Sequence, residues 1–225
     1  MKGAKKNSGR DCIIVCDGQI NKGLLFKLVN SPKASKKPIL ISTDGASNTL
    51  YRLNIIPDYI VGDLDSISEK ALNYFKREKV HIEIISEQEH NDLEKSINFA
   101  ISKGIKEILV IGFAGKRIDH TLNNFSVLKR NYKRGTIRFI DERFEIFFID
   151  KQTKFNYKRG ANLSLFGMPK AEGIETQGLK YILNKEKLEF GIREGALNQA
   201  VENIVKIKFR KGHLLVFKEH YGKIE

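Results

Sequence analysis

The chain has 225 residues, 41% of them hydrophobic and 30% charged, and its 40 Lys and Arg against 27 Asp and Glu leave a net charge of +13. That length supports one large domain or two small ones, with a core that needs no disulfide or metal staple. The composition excludes intrinsic disorder and fibrous repeats, and no apolar stretch nears the roughly 20 residues that cross a bilayer.

The basic start, Lys2, Lys5 and Lys6, runs into Asn7, Ser8 and Gly9 rather than a signal-peptide core, so a cytoplasmic protein without membrane contact is expected. Cys12 and Cys16 share one apolar run with no metal-ligand spacing and read as small core residues. The positive charge invites a nucleic-acid reading. Its local clusters, Lys33, Lys36 and Lys37 and then Arg130, Lys133 and Arg134, lack the aromatic-studded strand of an RNA binder. A solvated basic surface, or a field that attracts a polyphosphate, is expected instead of a nucleic-acid partner.

From Asp11 to about Asp150, short β-branched runs alternate with segments of helical period. The runs are Cys12 to Cys16, Ile39 to Ser42, Tyr59 to Val61, His81 to Ile85, Glu107 to Ile111 and Ile137 to Ile140. Runs apolar on both faces, separated by helix-length segments, predict a mostly parallel sheet covered by helices, a Rossmann-like three-layer α/β domain over residues 1–150. One helix is expected after Asp65, with Ser66 and Glu69 as a capping box and Leu72 and Phe75 inward. Another is expected from Asn91, with Glu94 three residues on and Leu93, Ile97, Ala100 and Ile101 as its inward stripe.

After Asp150 the helical period gives way to short alternating segments: Lys154 to Tyr157, Asn162 to Phe166, Tyr181 to Leu183, Val201 to Phe209 and Leu214 to Phe217. Gly160, Gly173, Gly178, Gly191, Gly195 and Gly212 supply turns between them, so residues 151–225 are expected as an all-β sandwich.

Ligands of open α/β sheets sit at the carboxyl ends of the strands. There the sequence places Asp17, then Asp44 with Asn48, then Gly62-Asp63-Leu64-Asp65, then Glu87-Gln88-Glu89-His90-Asn91-Asp92, then Gly112-Phe113-Ala114-Gly115-Lys116-Arg117-Ile118-Asp119-His120. Carboxylates converging on one edge repel unless a cation sits among them, and magnesium needs only a few Asp oxygens beside waters and phosphates. Asp63 and Asp65 point to opposite faces of a regular strand, so an irregular loop, which Gly62 permits, is required for both to reach one ion. Gly112 and Gly115 followed by Arg117 suit backbone close to a phosphate and a fixed cation on its charge. Neither the Walker sequence nor G-x-G-x-x-G is present. His120, beside Arg117 and Asp119, is expected to contact a polar ligand.

Asp44-Gly45-Ala46-Ser47-Asn48-Thr49-Leu50 and Pro57-Asp58-Tyr59-Ile60-Val61-Gly62-Asp63-Leu64-Asp65-Ser66, with Gly115 to Asn124, Gly178-Leu179-Lys180-Tyr181 and Gly195-Ala196-Leu197-Asn198, resemble in order the motifs of the thiamine pyrophosphokinase family. The resemblance covers nearly the whole chain. It implies transfer of diphosphate from ATP to the hydroxyl of thiamine, giving thiamine diphosphate and AMP. It further implies magnesium on Asp63, Asp65 and Asp92 with Asp44 and Gln88 in support, Arg117 on phosphate charge, and Asp119 orienting or deprotonating the hydroxyl. Asn48, Gly112, Gly115 and His120 are implied on the nucleotide side, and Asn198, Leu197 and Tyr181 at the vitamin of a homodimer. Two departures stand out: Leu197 replaces the family's Ser, and Glu89-His90-Asn91-Asp92 replaces D-x-T-D while keeping its last acid and a capping residue. A pyrophosphokinase for another heterocyclic alcohol, such as a hydroxymethylpterin, is the alternative that Leu197 suggests.

Overall fold

The apolar runs become strands in the computed structural model, which describes residues 12–30 and 37–220. Lys2, Lys5, Lys6, Asp11, Lys33 and Lys36 lie outside the described residues. The chain divides into two compact units, Met1–Asp141 and Glu142–Glu225.

The first unit alternates strand and helix: β1 (Cys12–Val15), α1 (Lys22–Val29), β2 (Ile39–Thr43), α2 (Asp44–Arg52), β3 (Tyr59–Gly62), α3 (Glu69–Arg77), β4 (His81–Ile84), α4 (Asp92–Ser102), β5 (Glu107–Ile111), α5 (Ile118–Asn131) and β6 (Thr136–Ile140). Its strands pair in the order β4-β3-β2-β1-β5-β6, and every pair is parallel. The central strand β1 is buried along its whole length, as a run apolar on both faces must be. At β4 the sheet edge carries His81 and Glu83, polar side chains that blunt an open ladder.

The helices follow their predicted stripes in part. Phe75 of α3 is buried, but its partner inward is Ala71 while Leu72 is half-buried; Leu93, Ile97 and Ala100 of α4 are buried and Ile101 is half-buried. The α4 cap is as expected, with Asn91 accepting from the Glu94 N–H at 3.0 Å. The Glu94 carboxylate does not reach back to close a capping box. It turns inward to Arg130 and to Asn131, whose Nδ2 donates at 2.9 Å. The α3 cap is Ser68, which accepts from the Ala71 N–H, rather than the expected Ser66. Ser66 is occupied elsewhere: its hydroxyl donates to Asp65 at 2.7 Å and its carbonyl accepts from Asn48 at 2.8 Å.

The second unit is antiparallel throughout: β7 (Phe144–Ile149), β8 (Gln152–Asn156), β9 (Asn162–Gln177), β10 (Asn184–Glu189), β11 (Gly195–Gln199), β12 (Ile204–Lys208) and β13 (Lys211–Glu219). Its centre is β9, a 16-residue strand that pairs with β13, β12, β10 and β11. Leu163, Leu165, Ile174, Leu188, Val205, Leu214 and Val216 are among the side chains of its core. The expected division at Asp150 falls later than the observed one because β7 belongs to this unit, where it pairs with β13.

Tyr181 to Leu183 is not a strand; the strand begins at Asn184. The cause is local: the Asn198 side chain takes both the N–H and the carbonyl of Tyr181, at 3.0 and 2.7 Å, and removes them from any ladder. Strand β11 carries no β-branched residue, and β10 only one buried apolar residue, Leu188, so neither shows the alternation that marks a strand in sequence.

Replacing Ser68 with Ala is expected to cost about 1 kcal/mol of stability by chemical denaturation, and Ser66→Ala less than half of that. A larger loss at Ser66 would return the cap to that residue.

Candidate active site

Strand order reverses at β1, which lies between β2 and β5, so the loops leaving the carboxyl ends of the strands open at one edge of the sheet. The acidic loops leave from there.

Asp44 opens α2 and is 1% exposed. Its Oδ1 accepts from the Gly45 N–H at 2.6 Å, whereas its buried Oδ2 has no hydrogen-bond partner among the described residues. Burial pushes the carboxyl above the usual range, and the charges of Asp63 and Asp65 push the same way against hydrogen bonds from the Gly45 and Ser66 backbone. Gly62 makes room for it, since a Cβ there would lie 2.9 Å from the Asp44 Cγ.

Leu64, between Asp63 and Asp65, has φ +70°, the left-handed conformation that bulky residues rarely adopt. That turn breaks the two-residue alternation of a strand. It brings oxygens of Asp44, Asp63 and Asp65 within 4.8 Å of one another. Opposite ligands of an octahedral magnesium lie about 4.2 Å apart, so three carboxylates at this spacing fit a small divalent cation after slight contraction. The partnerless Asp44 oxygen is the observation that favours a cation, because an anionic oxygen buried without one is costly.

Asp92, the first residue of α4, is outside that trio but feels it. Its carboxyl is pushed up to about 6, first by burial and then by the charge of Asp44, against the opposing pull of Lys95. The Lys95 ammonium, 2% exposed, lies 3.3 Å from Asp63 Oδ2 and 3.6 Å from Asp92 Oδ1. Gln88 donates to the same Asp63 oxygen at 3.1 Å. Burial raises the Asp63 carboxyl, but bonds from Gln88, the Asp65 N–H and Lys95 outweigh it and hold the group below the usual range.

The glycine-rich loop is shaped first by the protein's own backbone. A Cβ on Gly112, at φ +67°, would meet the Cys16 carbonyl at 2.3 Å, and one on Gly115, at φ +98°, would meet the Gln19 Cβ at 2.7 Å. Gln19 and Gly18 donate to the carbonyls of Ala114 and Gly112, and Lys116 pairs with Asp17 at 2.7 Å. Asn124 ties α5 into the same region, donating to the Phe113 carbonyl at 2.7 Å and accepting from the cap residue Asn91 at 3.0 Å. Asn48 is spent on the loop before α3: its amide donates to the carbonyls of Gly45 and Ser66, and its oxygen accepts from the Ser68 N–H. A cleft of about 420 Å³ opens here, lined by Asp17, Gly45, Asn48, Tyr51, Lys70 and Lys116 among others.

Arg117 and Asp119 form an exposed bidentate pair, with Arg117 Nε and Nη2 donating at 3.1 and 2.5 Å. The guanidinium holds the Asp119 carboxyl down at about 2. His120, in the first turn of α5, is exposed.

In the second unit, Asn198 is buried and serves as a clamp on Tyr181, as described above. Tyr181 and Leu197 stand in solvent, 60% and 84% exposed. Leu197 has φ +57° and donates its N–H to Ser164 Oγ at 3.1 Å. A groove of about 850 Å³ also lies in this unit, lined by Thr153, Lys154, Gln177, Ile182, Asn184 and Lys206 among others. None of the three expected vitamin contacts lines it.

Comparison with known proteins decides the family. The catalytic domain of thiamin pyrophosphokinase matches residues 31–140, and the vitamin B1 binding domain of thiamin pyrophosphokinase matches residues 149–214. The chain belongs to the thiamin pyrophosphokinase family. Thiamine pyrophosphokinase of Bacillus subtilis is 26% identical over 184 residues, covering 79% of this chain and 86% of that one. The crystal structure of a thiamine pyrophosphokinase from the same organism superposes with a TM-score of 0.77 at 23% identity, over 92% of this chain and 98% of that one. The yeast thiamin pyrophosphokinase structure gives 0.83 at 20% identity, over 98% and 89%.

Set against the family motifs, the structure adds two roles that the sequence did not announce, and it gives Asn124, the last residue of the Gly115 to Asn124 motif, its structural task. Lys95 looks in sequence like an ordinary helix residue, and Leu64 like an apolar spacer. Only the Asp92 to Lys95 spacing, one helical turn, held a signal for the first.

The Asp92 carboxyl titrates above a free one, so this group favours folding when protonated and opposes it as pH rises from about 4 through about 6. Asp92→Asn is expected to raise the melting temperature of metal-free protein at pH 7, with a gain that shrinks as pH falls toward 4. Calorimetry over that range checks this, and a gain independent of pH would trace it to packing instead.

Proposed function

We propose that this chain is a magnesium-dependent thiamine pyrophosphokinase, taking diphosphate from ATP to the hydroxyl of thiamine and releasing AMP in the cytoplasm. The observation that carries the reading is the acidic cluster with its partnerless Asp44 oxygen, set in a chain matched by both the catalytic and the vitamin-binding domain of that family. The first unit is the Rossmann-like catalytic domain, and the second, a sandwich of antiparallel strands, binds the vitamin.

Asp63, Asp65 and Asp92, with Asp44, would hold the magnesium, and Gln88 fixes the Asp63 oxygen. Magnesium, when bound, neutralises charge on the ATP phosphates. Arg117 stabilises charge on the transferred diphosphate, and Asn48, Gly112, Gly115 and His120 border the nucleotide. The hydroxyl oxygen of thiamine bonds to the β-phosphorus as the bond to the bridging oxygen of AMP breaks, and the hydroxyl proton is released. Asp119, ionised beside Arg117, is too weak a base to remove that proton early; it accepts the hydroxyl hydrogen bond and aims the oxygen. Tyr181 and Leu197 contact the vitamin, with Asn198 holding Tyr181 in place. The replacement of the family's Ser by Leu197 is the one feature that points to another acceptor, such as a pterin.

Incubated with magnesium, ATP and thiamine, the protein is expected to form thiamine diphosphate and AMP in equal amounts by chromatography. Asp65→Asn should lower kcat roughly a thousandfold, the size of several kcal/mol of lost charge stabilisation, with an unchanged circular dichroism spectrum. Retained turnover in that variant would remove the metal role. Asn198→Ala should raise KM for thiamine well above any change for ATP, and equal changes would misplace the vitamin site.

The exposed Tyr181, Ile182, Phe190, Ile192 and Leu197 of the second unit support self-association as a homodimer. Sedimentation equilibrium should return twice the chain mass of 25.7 kDa, and a monomer at micromolar concentration would refute it.

A further inference from the structure

Lysine in a helix normally threads its ammonium out to solvent. Lys95 does not: it lies one turn after Asp92 on α4, flanked in sequence by the buried Glu94 and Ser96, with only 2% of its side chain exposed. Its ammonium is aimed at the back of the acidic cluster, 3.3 Å from Asp63 Oδ2 and 3.6 Å from Asp92 Oδ1. These two carboxylates come from different elements, the loop after β3 and the start of α4, and Lys95 is in reach of both.

Asp63 Oδ2 is also the oxygen that Gln88 holds. Two donors on one oxygen fix the rotation of that carboxylate and leave Oδ1 with a single long contact, from the Asp65 N–H at 3.4 Å. Asp44 is constrained in the same manner from its other side, with Oδ1 on the Gly45 N–H and Oδ2 bare. Each acid therefore has one oxygen anchored by the protein and one left available.

We propose that Lys95 is a positioning residue of the metal centre, an internal cation that locks Asp63 and Asp92 so that their remaining oxygens face a divalent ion. The inference rests on the magnesium reading above. It makes a counterintuitive demand: removing a positive charge beside a cation site should weaken cation binding, because lost orientation outweighs the gain in negative potential.

Lys95→Met keeps the aliphatic stem, one atom shorter, and removes the charge. Binding of Mn²⁺ to the full-length protein without nucleotide, followed by the electron paramagnetic resonance signal of the free ion, is expected to weaken at least tenfold. The magnesium needed for half-maximal turnover should rise by a similar factor while KM for thiamine stays within twofold. Unchanged or tighter Mn²⁺ binding overturns the proposal and reduces Lys95 to a counter-charge; parallel rises in both kinetic constants overturn it as a general distortion. Should Lys95→Met fail to fold, the wild-type protein still decides: the ¹⁵N resonance of its buried Lys95 ammonium must shift on titration with Mg²⁺, and an unmoved signal overturns the proposal. Wild-type protein that binds no Mn²⁺ sinks the metal reading itself, whereas wild-type binding with an indifferent Lys95→Met sinks this inference alone.

Discussion

Four carboxylates, Asp44, Asp63, Asp65 and Asp92, are gathered at one end of a parallel sheet, where burial and then their mutual repulsion bear on Asp44 and Asp92. Two unit charges about 5 Å apart repel by about 3 kcal/mol at an effective dielectric constant of about 20. A hydrogen bond contributes only about 1 kcal/mol net, so turn and capping bonds alone do not offset such a cluster. The protein meets the repulsion in two ways. It sets a lysine ammonium behind the acids, and it lets Asp44 and Asp92 titrate upward while Asp63 is held down. Groups of one kind with carboxyls driven apart by their surroundings are characteristic of reactive sites.

The supports of this cluster come from several elements at once. Asn48 of α2 pins the loop before α3, Asn91 caps α4 and reaches α5 through Asn124, and Asn124 holds the glycine loop after β5. Amide side chains suit the task because each can donate and accept without adding charge to a site that already carries too much. The glycine loop shows a related economy: a side chain at Gly112 or Gly115 would meet the carbonyl of Cys16 or the side chain of Gln19, so the β1 to α1 segment itself sets the shape of the loop.

Much of the first unit was legible in sequence because its strands are apolar on both faces and its helices carry clear inward stripes. The strand cores at Ile39 to Ser42 and Glu107 to Ile111 and the Asn91 cap came out as read. The Ser66 cap did not, since two serines within three residues offer the same local chemistry and only the position of Asn48 separates them. Asp63 and Asp65 were legible as a pair from their spacing, while the left-handed Leu64 that unites them was not, because nothing about a leucine announces that conformation. Lys95 was hidden for the opposite reason: its residue type announces solvent, and burial is a property of the fold. In the second unit, β10 and β11 lack alternation and owe their strand form to pairing with β9.

That dependence on β9 gives the two units different folding characters. In the first, most strand pairs join segments separated by a single helix, and contacts of short and medium range can form as the chain emerges. In the second, β7 is flanked by β13, the last described strand, and β9 meets that same strand along most of its length, so the central ladder stays open until the far end of the unit has been made. The α/β half can thus acquire its order during synthesis, while the β half is assembled late and all together.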